Sequence, residues 1–420
     1  MKKIKIGIVG LGYVGLPLAL ALGKYFSIIG YDKNQLRIDQ LNKDIDITKE
    51  VSKKDFIQSR HISFTKQISK LRDCNFFIVT VPTPVNKRNK PDLSYLKSAT
   101  HIVSKFVKKD DIVVYESTGF PGMTEEICVP ILENNSCLKY NKDFYCGYSP
   151  ERINPGDKKH RINNIKKIIS ASNNKSLKIL KFVYGKIIKA GLFITSSIKV
   201  AEAAKVIENT QRDLNIALIN ELSMICHKLN IETNEVIKAA STKWNFHKYF
   251  PGLVGGHCIG VDPYYLTYKS KLIGHDPKII LSGRKVNDSM VNYIYKKLKF
   301  FLKKKKISNL KIKILILGAT FKENCPDIRN SQTLKLAKKI KKKYKNIFIY
   351  DPIVSEREKK ESHMIFLKKI KLNYFDVIIL SVPHEIIKNK VKNIKKYLKL
   401  KSVFFDLKSI YPPNNSDFRL

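Results

Sequence analysis

Apolar residues come in short runs separated by polar or helical stretches. Residues 4–9 form a β-rich run, followed by a glycine turn. An Ala/Leu-rich pattern then predicts a helix over about 16–24. Residues 27–31 read as a second strand ending at Asp32. Strand, tight turn, helix, strand is the opening of a βαβ unit. Further short runs at 76–81, 112–115 and 144–147 have helical patterns between them. Such alternation predicts a parallel, doubly wound sheet.

From 199 to 229 the pattern changes. Val200, Ala203, Ala204, Ile207, Leu214, Ala217, Leu218 and Leu222 recur at helical spacing without Gly or Pro. That predicts one helix of about 45 Å at roughly 1.5 Å per residue, suited to bridging domains and to a dimer seam. Lysines 303–306 read as the start of a surface linker. A second α/β unit follows, with strands at 314–317, 347–350, 377–382 and 403–406, a helix over 331–342, and Asp351 ending its second strand. The expected fold class is α/β: two Rossmann-like doubly wound domains joined by a long central helix. The expected boundaries are 1–198, 199–302 and 303–420.

Composition changes this picture little. The formal charge is +43, from 79 basic and 36 acidic residues, but only 11 of the 79 are arginine. The lysines are spread along the chain, whereas a nucleic-acid binder concentrates Arg and aromatics on one face. No nucleic-acid partner is therefore expected. Scarce arginines gain interest, since a guanidinium makes forked hydrogen bonds that Lys cannot. Seven cysteines with no CxxC pair argue against a disulfide framework or a metal site and suit a reducing compartment, so a cytoplasmic location is expected. The basic, apolar start imitates a signal peptide, but Gly10, Gly12, Gly15 and Pro17 interrupt it. There is no apolar run of about 20 residues, so no membrane span is expected.

Three segments carry candidate chemistry. Gly10-x-Gly12-x-x-Gly15 follows a strand and opens a helix. The first Gly permits the turn, the second lets a pyrophosphate approach, and the third lets helix and strand pack closely. Asp32 can accept hydrogen bonds from a ribose and would repel a 2′-phosphate, so NAD is favoured over NADP. Residues 81–84 (VPTP) and 116–118 (EST) stand at strand ends, where ligands of such sheets collect; capping or turn bonding explains the hydroxyls equally simply. The segment 255–263, GGHCIGVDP, sets Cys258 among glycines with His257 and Asp262 nearby. From residue types alone it is a nucleophile, an inert thiol or a metal ligand. His257 could lower the thiol pKa or simply pack.

Seven segments in this order resemble the nucleotide-sugar 6-dehydrogenases over nearly the whole chain. They are IVGLGYVGLPLA, VPTPV, YESTGFPGMTEE, YSPERINPGD, AEAAKVIENTQRDLNIALINE, PGLVGGHCIGVDPYYL and LGATFKENCPDIRNS. The resemblance implies that a C6 alcohol is oxidised twice, using two NAD. Cys258 would capture the aldehyde as a thiohemiacetal, and a thioester would then be hydrolysed. It implies that Lys205 and Asn209 stabilise oxyanions and position water, that Asp262 and Thr118 hold that water, and that Glu151 serves hydrolysis. Tyr13, Val14, Thr83, Thr118, Arg37 and Arg329 resemble cofactor contacts beside the glycine turn and Asp32; for Arg37 a solvated helix face is the plain alternative. Arg152, Ile153, Lys205, Asn209, Arg212, Gly252, Phe321 and Lys322 resemble substrate contacts. Cofactor would sit on the first domain and UDP on the second, with chemistry in the cleft.

Val261 stands where glucose-specific members carry Lys before the catalytic-loop Asp. That moves the expected substrate from UDP-glucose, the nearest rival, toward a UDP-N-acetylhexosamine, and ENCPDIRNS resembles the Vi-polysaccharide-type group. The expectation is a homodimeric enzyme for surface polysaccharide synthesis. A basic nucleic-acid-binding Rossmann protein and a catalytically dead scaffold are the other readings.

Overall fold

The structure is a computed structural model and describes residues 3–48, 50–59, 61–152, 162–307 and 309–420. The chain divides into two compact units. One holds Met1–Glu208 and Tyr264–Asp276, the other Asn209–Pro263 and Pro277–Leu420.

In the first unit eight strands form one sheet: β1 (Lys5–Val9), β2 (Ser27–Tyr31), β3 (Ile62–Thr65), β4 (Phe76–Val79), β5 (Ile112–Tyr115), β6 (Tyr145–Tyr148), β7 (Lys167–Ala171) and β8 (Leu192–Ile194). Their order is β3-β2-β1-β4-β5-β6-β7-β8. All neighbours are parallel except β6 and β7, which departs from the wholly parallel sheet expected. Every residue of β4 and β5 is buried. Their sequences, FFIV and IVVY, are apolar throughout because helices cover both faces, so no alternation survives. Strand order reverses between β1 and β4, which opens a crevice at their carboxyl ends.

In the second unit the strands are β9 (Lys313–Leu317), β10 (Asn346–Tyr350), β11 (Ile365–Phe366), β12 (Phe375–Leu380), β13 (Leu398–Asp406) and β14 (Phe418–Arg419). They are all parallel, in the order β11-β10-β9-β12-β13-β14. Ile314 and Ile316 of β9 join one core with Ile349, Val377 and the helix Lys278–Lys304; Leu315 and Leu317 join the core on the opposite face with Ile378 and Leu380. One strand thus ties two helical layers together through its period of two.

One sequence expectation is corrected. Lysines 303–306 do not all belong to a linker, which starts at Lys305. The helix Lys278–Lys304 runs into them, and Lys305 Nζ pairs with Asp417 at 2.5 Å. Cations at a helix C-terminus complement its dipole. The helix Ile198–Leu229 forms as expected, with 32 residues. Of its apolar stripe, Val200, Ile207 and Leu218 are 46, 50 and 63 % exposed, whereas Ala217 is buried. Buried on the helix are Ala201, Val206, Ile219 and Cys226, together with Glu202, Asn209, Asp213 and Asn220, whose side chains hold the segments packed on it. Among the described residues no helix is long and apolar enough to cross a membrane.

Candidate active site

The turn after β1 is built as its glycines require. Gly10 has φ +99°, and its N–H donates to Tyr31 O at 2.9 Å. A Cβ on Gly15 would stand 1.9 Å from Gly10 O, so only glycine lets the helix Gly15–Leu22 start against the turn. A Cβ on Gly12 would meet nothing within 4 Å. That open space is where a pyrophosphate would need to approach. Tyr13 and Val14 are half-buried in the same turn. Asp32 accepts from Leu11 N through Oδ2 and Asn34 N through Oδ1, each at 2.9 Å. An ionised carboxylate has about four acceptor sites, so it can still receive ribose hydroxyls. These features fit a dinucleotide.

Arg37 is not on a solvated face. It is buried, donates from Nε to Leu11 O at 2.9 Å, and pairs with Asp46 at 3.0 Å. It braces the glycine turn from behind. Thr83 and Thr118 are half-buried beyond β4 and β5, on the carboxyl edge that carries Gly10. Ser117 Oγ donates to Val81 O at 2.7 Å and joins their two loops.

Glu116 turns inward to a site the sequence did not reveal. Lys167 Nζ lies 2.9 Å from Glu116 and 3.5 Å from Glu151, and Tyr184 Oη donates to Glu116 at 2.6 Å. Burial alone would lower the Lys167 pKa, but the carboxylates of Glu116 and Glu151 outweigh it and hold it above its ordinary value. Lys167 was hidden among the chain's many lysines. Arg152 is engaged by Glu208 at 2.7 Å and by Lys166 O at 3.0 Å. Ile153 lies outside the described residues. Lys205 is buried on the long helix. One turn earlier, Glu202 accepts from Gly122 N at 2.6 Å, Thr124 N at 2.8 Å and Thr124 Oγ at 2.7 Å. Burial pushes its carboxyl up to about 7, against those donors.

In the second unit, Asn209 Nδ2 donates to Asp262 Oδ2 at 2.6 Å, and Arg212 donates to Asn209 Oδ1 at 3.1 Å. Asp262 starts the helix Asp262–Leu272, and its N–H donates to Cys258 O at 2.8 Å. The structure therefore brings Asn209, Arg212, Asp262 and the Cys258 loop together. No cysteine is in a disulfide; Cys258 is half-buried, Cys137 exposed and the other five buried. Burial pushes Cys74 and Cys128 up to about 12 and Cys146 well above its ordinary value, which makes those three poor nucleophiles.

Gly252 is clamped at both ends of its backbone: its N–H donates to Asn220 Oδ1 at 2.8 Å, and its carbonyl accepts from Asn220 Nδ2 at 3.0 Å. Asn220 Nδ2 also reaches Asn287, which donates to Asp213, and Asp213 pairs with Arg284 at 2.6 Å. A Cβ on Gly252 would lie 3.1 Å from Lys408 Nζ. Asn220, though inside the segment 201–221, was not singled out, and Lys408 carries no local motif. Phe321 lies edge-on to His257, with ring centroids 5.8 Å apart. Lys322 follows it, half-buried. Arg329 is half-exposed and held in a fork by buried Asp327.

Three family models match the chain in sequence order: the NAD binding domain of the UDP-glucose/GDP-mannose dehydrogenase family at 4–188, its central domain at 199–289 and its UDP binding domain at 315–413. The chain is 50% identical over 420 residues to a UDP-N-acetyl-D-glucosamine 6-dehydrogenase of Salmonella typhi, covering 100% of this chain and 99% of the relative. It is 49% identical to an enzyme of the same name from Pseudomonas aeruginosa, covering 100% of both. Its fold is similar to that of a UDP-D-ManNAc dehydrogenase of Pyrococcus horikoshii, with TM-score 0.89 and 30% identity, covering 99% of this chain and 98% of that one. A NAD-type turn, a thiol loop and a second nucleotide-type sheet thus occur in the order of the family's three domains, and the chain belongs to the UDP-glucose/GDP-mannose dehydrogenase family.

Proposed function

We propose that this enzyme oxidises the C6 alcohol of UDP-N-acetylglucosamine to the carboxylate in two steps, reducing two NAD per sugar, for surface polysaccharide synthesis. Bound NAD would accept hydride from C6. Between the two oxidations the Cys258 thiolate attacks the aldehyde carbon and forms a C–S bond, giving a thiohemiacetal. The second oxidation leaves a thioester. Water then attacks the carbonyl carbon, the C–S bond breaks and the thiolate leaves. A thiol suits this sequence because it holds the aldehyde and is still a good leaving group.

Lys205 and Asn209 are assigned to the developing oxyanion, Thr118 and Asp262 to the water, and Glu151 to the proton that water loses. On the cofactor side stand Gly10, Gly12, Tyr13, Val14, Gly15, Asp32, Thr83 and Arg329, with Arg37 bracing the turn. On the substrate side stand Arg152, Ile153, Arg212, Gly252, Phe321 and Lys322. Lys408, beside Gly252, adds positive charge suited to a diphosphate. Leu218, Ile225 and Leu229 form an exposed stripe on the long helix at spacings of seven and four, which supports a homodimer seam; sedimentation of a Leu218→Lys, Ile225→Lys chain as a monomer is the expected result.

The observation that carries the reading is Cys258, half-buried in a glycine-rich loop whose next acid, Asp262, is held by Asn209. NADH absorbance with a panel of UDP-sugars tests it. UDP-N-acetylglucosamine should exceed UDP-glucose in kcat/KM by about tenfold or more, with two NADH per sugar. Preference for UDP-glucose would overturn the substrate, and undiminished acid formation by Cys258→Ala would remove the thiol.

A further inference from the structure

His384 is fully buried just beyond β12, in a position no catalytic role uses. Its Nδ1 accepts from Asn324 N at 2.9 Å. The ring proton is therefore on Nε2, which faces Asp351 Oδ2 at 3.1 Å and Thr320 Oγ at 3.2 Å. Thr320 Oγ donates onward to Lys322 O at 2.8 Å. Asn324, in the left-handed region at φ +56°, accepts from Glu385 N through Oδ1 at 3.1 Å. One imidazole thus clasps both ends of the loop at 320–324, whose middle residues are Phe321 and Lys322. The other side of that loop rests on the thiol segment: a Cβ on Gly256 would come within 2.7 Å of the Phe321 ring.

We propose that His384 is a positioning residue for UDP-sugar binding. As a neutral ring seated on Asp351, it sets the loop at 320–324 and thereby the placement of Phe321 and Lys322 toward the substrate. The inference rests on the reading that this loop contacts the UDP-sugar. Its partners lie 33 to 64 residues away in sequence, so the clasp exists only in the folded sheet.

The test uses the full chain. His384→Gln keeps a donor toward Asp351 but moves the acceptor away from Asn324 N–H. His384→Asn keeps Oδ1 where Nδ1 stood and loses the reach to Asp351. The Gln variant should raise the KM for UDP-N-acetylglucosamine, and the Kd for UDP by calorimetry, about tenfold, with the KM for NAD within about twofold. The Asn variant should recover most of that loss. Thr320→Val removes the hydroxyl that links Nε2 to Lys322 O at the other end of the clasp and should weaken UDP about threefold; it decides the matter if the His384 variants do not fold. Equal losses for UDP and NAD, or an Asn variant no better than Gln, would overturn the positioning role. Failure of the parent chain to oxidise UDP-N-acetylglucosamine would instead count against the proposed substrate, and the UDP titration would still judge His384.

Discussion

Asp32 and Asp351 stand at the same place in two sheets. Each follows the second strand of its unit and accepts the N–H two residues on, from Asn34 and Ile353. Each also accepts an N–H from the turn after the first strand, Leu11 in one and Ala319 in the other. Gly10 and Gly318 both take positive φ, and both donate to the last residue of the neighbouring strand. The difference lies in what else meets the acid. Asp32 is half-exposed beside open space at Gly12, whereas Asp351 is 2 % exposed and capped by His384. One scaffold therefore leaves its acid accessible, and the other spends the same acid on its own loop. Backbone geometry makes the acid position; a single side chain from the segment after β12 decides its use.

The widest break in that comparison is at the glycines. Gly15→Ala would drive Cβ into Gly10 O, displacing the turn and weakening NAD by about a hundredfold, while UDP binding by calorimetry stays as in the parent. Gly318→Ala faces φ +79° and a carbonyl 2.2 Å away, but should act on folding: about 1–3 kcal/mol in urea unfolding, with NAD affinity unchanged. Next in size, Asp32→Asn should raise the KM for NAD about tenfold, roughly 1.4 kcal/mol. Asp351→Asn should leave it alone and cost about 1–3 kcal/mol of stability, since an amide N–H₂ would face a backbone or ring donor. If both substitutions raise the KM for NAD alike, the contrast is wrong.

The smallest effects are in pH. At Asp351 burial favours the neutral acid, but hydrogen bonds from His384, Ala319 and Ile353 outweigh it and hold the pKa below its usual value. Its stabilisation is present above the ordinary Asp pKa of about 3.9 and is lost as pH falls through the depressed one. Glu202, raised to about 7, has the opposite sign: its contribution is full below the ordinary Glu pKa of about 4.3 and fades as pH rises toward 7. The urea midpoint of the parent should therefore fall relative to that of Glu202→Gln between about pH 4 and 7. A parent that instead gains on the variant as pH rises would show that the Gly122 and Thr124 donors, not burial, govern this carboxyl.

What the sequence made legible was local. Gly10, Gly12, Gly15 and Asp32 fall within one βαβ unit, and their spacing alone implies the turn. Cys258 stood out because its neighbours are glycines rather than aliphatics. What stayed hidden depends on partners far apart. His384 reads as one of nine histidines, and Lys167 as one more lysine in a basic chain. In the helix Lys278–Lys304 the buried residues Met290, Ile294, Leu298 and Leu302 recur every fourth position, but the lysines at 303–306 read as a linker and hid its last residues. On the long helix the period was legible, but the buried polar residues such as Glu202 and Asn220 were not, because hydropathy assigns them to solvent.

Five interior sulfurs and two more accessible ones also have a practical meaning. A small alkylating reagent added to the native protein meets Cys137, at the end of the helix Val129–Ser136, and Cys258. Cys137→Ser leaves one addressable sulfur. A dye attached there marks each molecule once, and under the proposed mechanism the fraction labelled counts active centres directly, as a burst titration would.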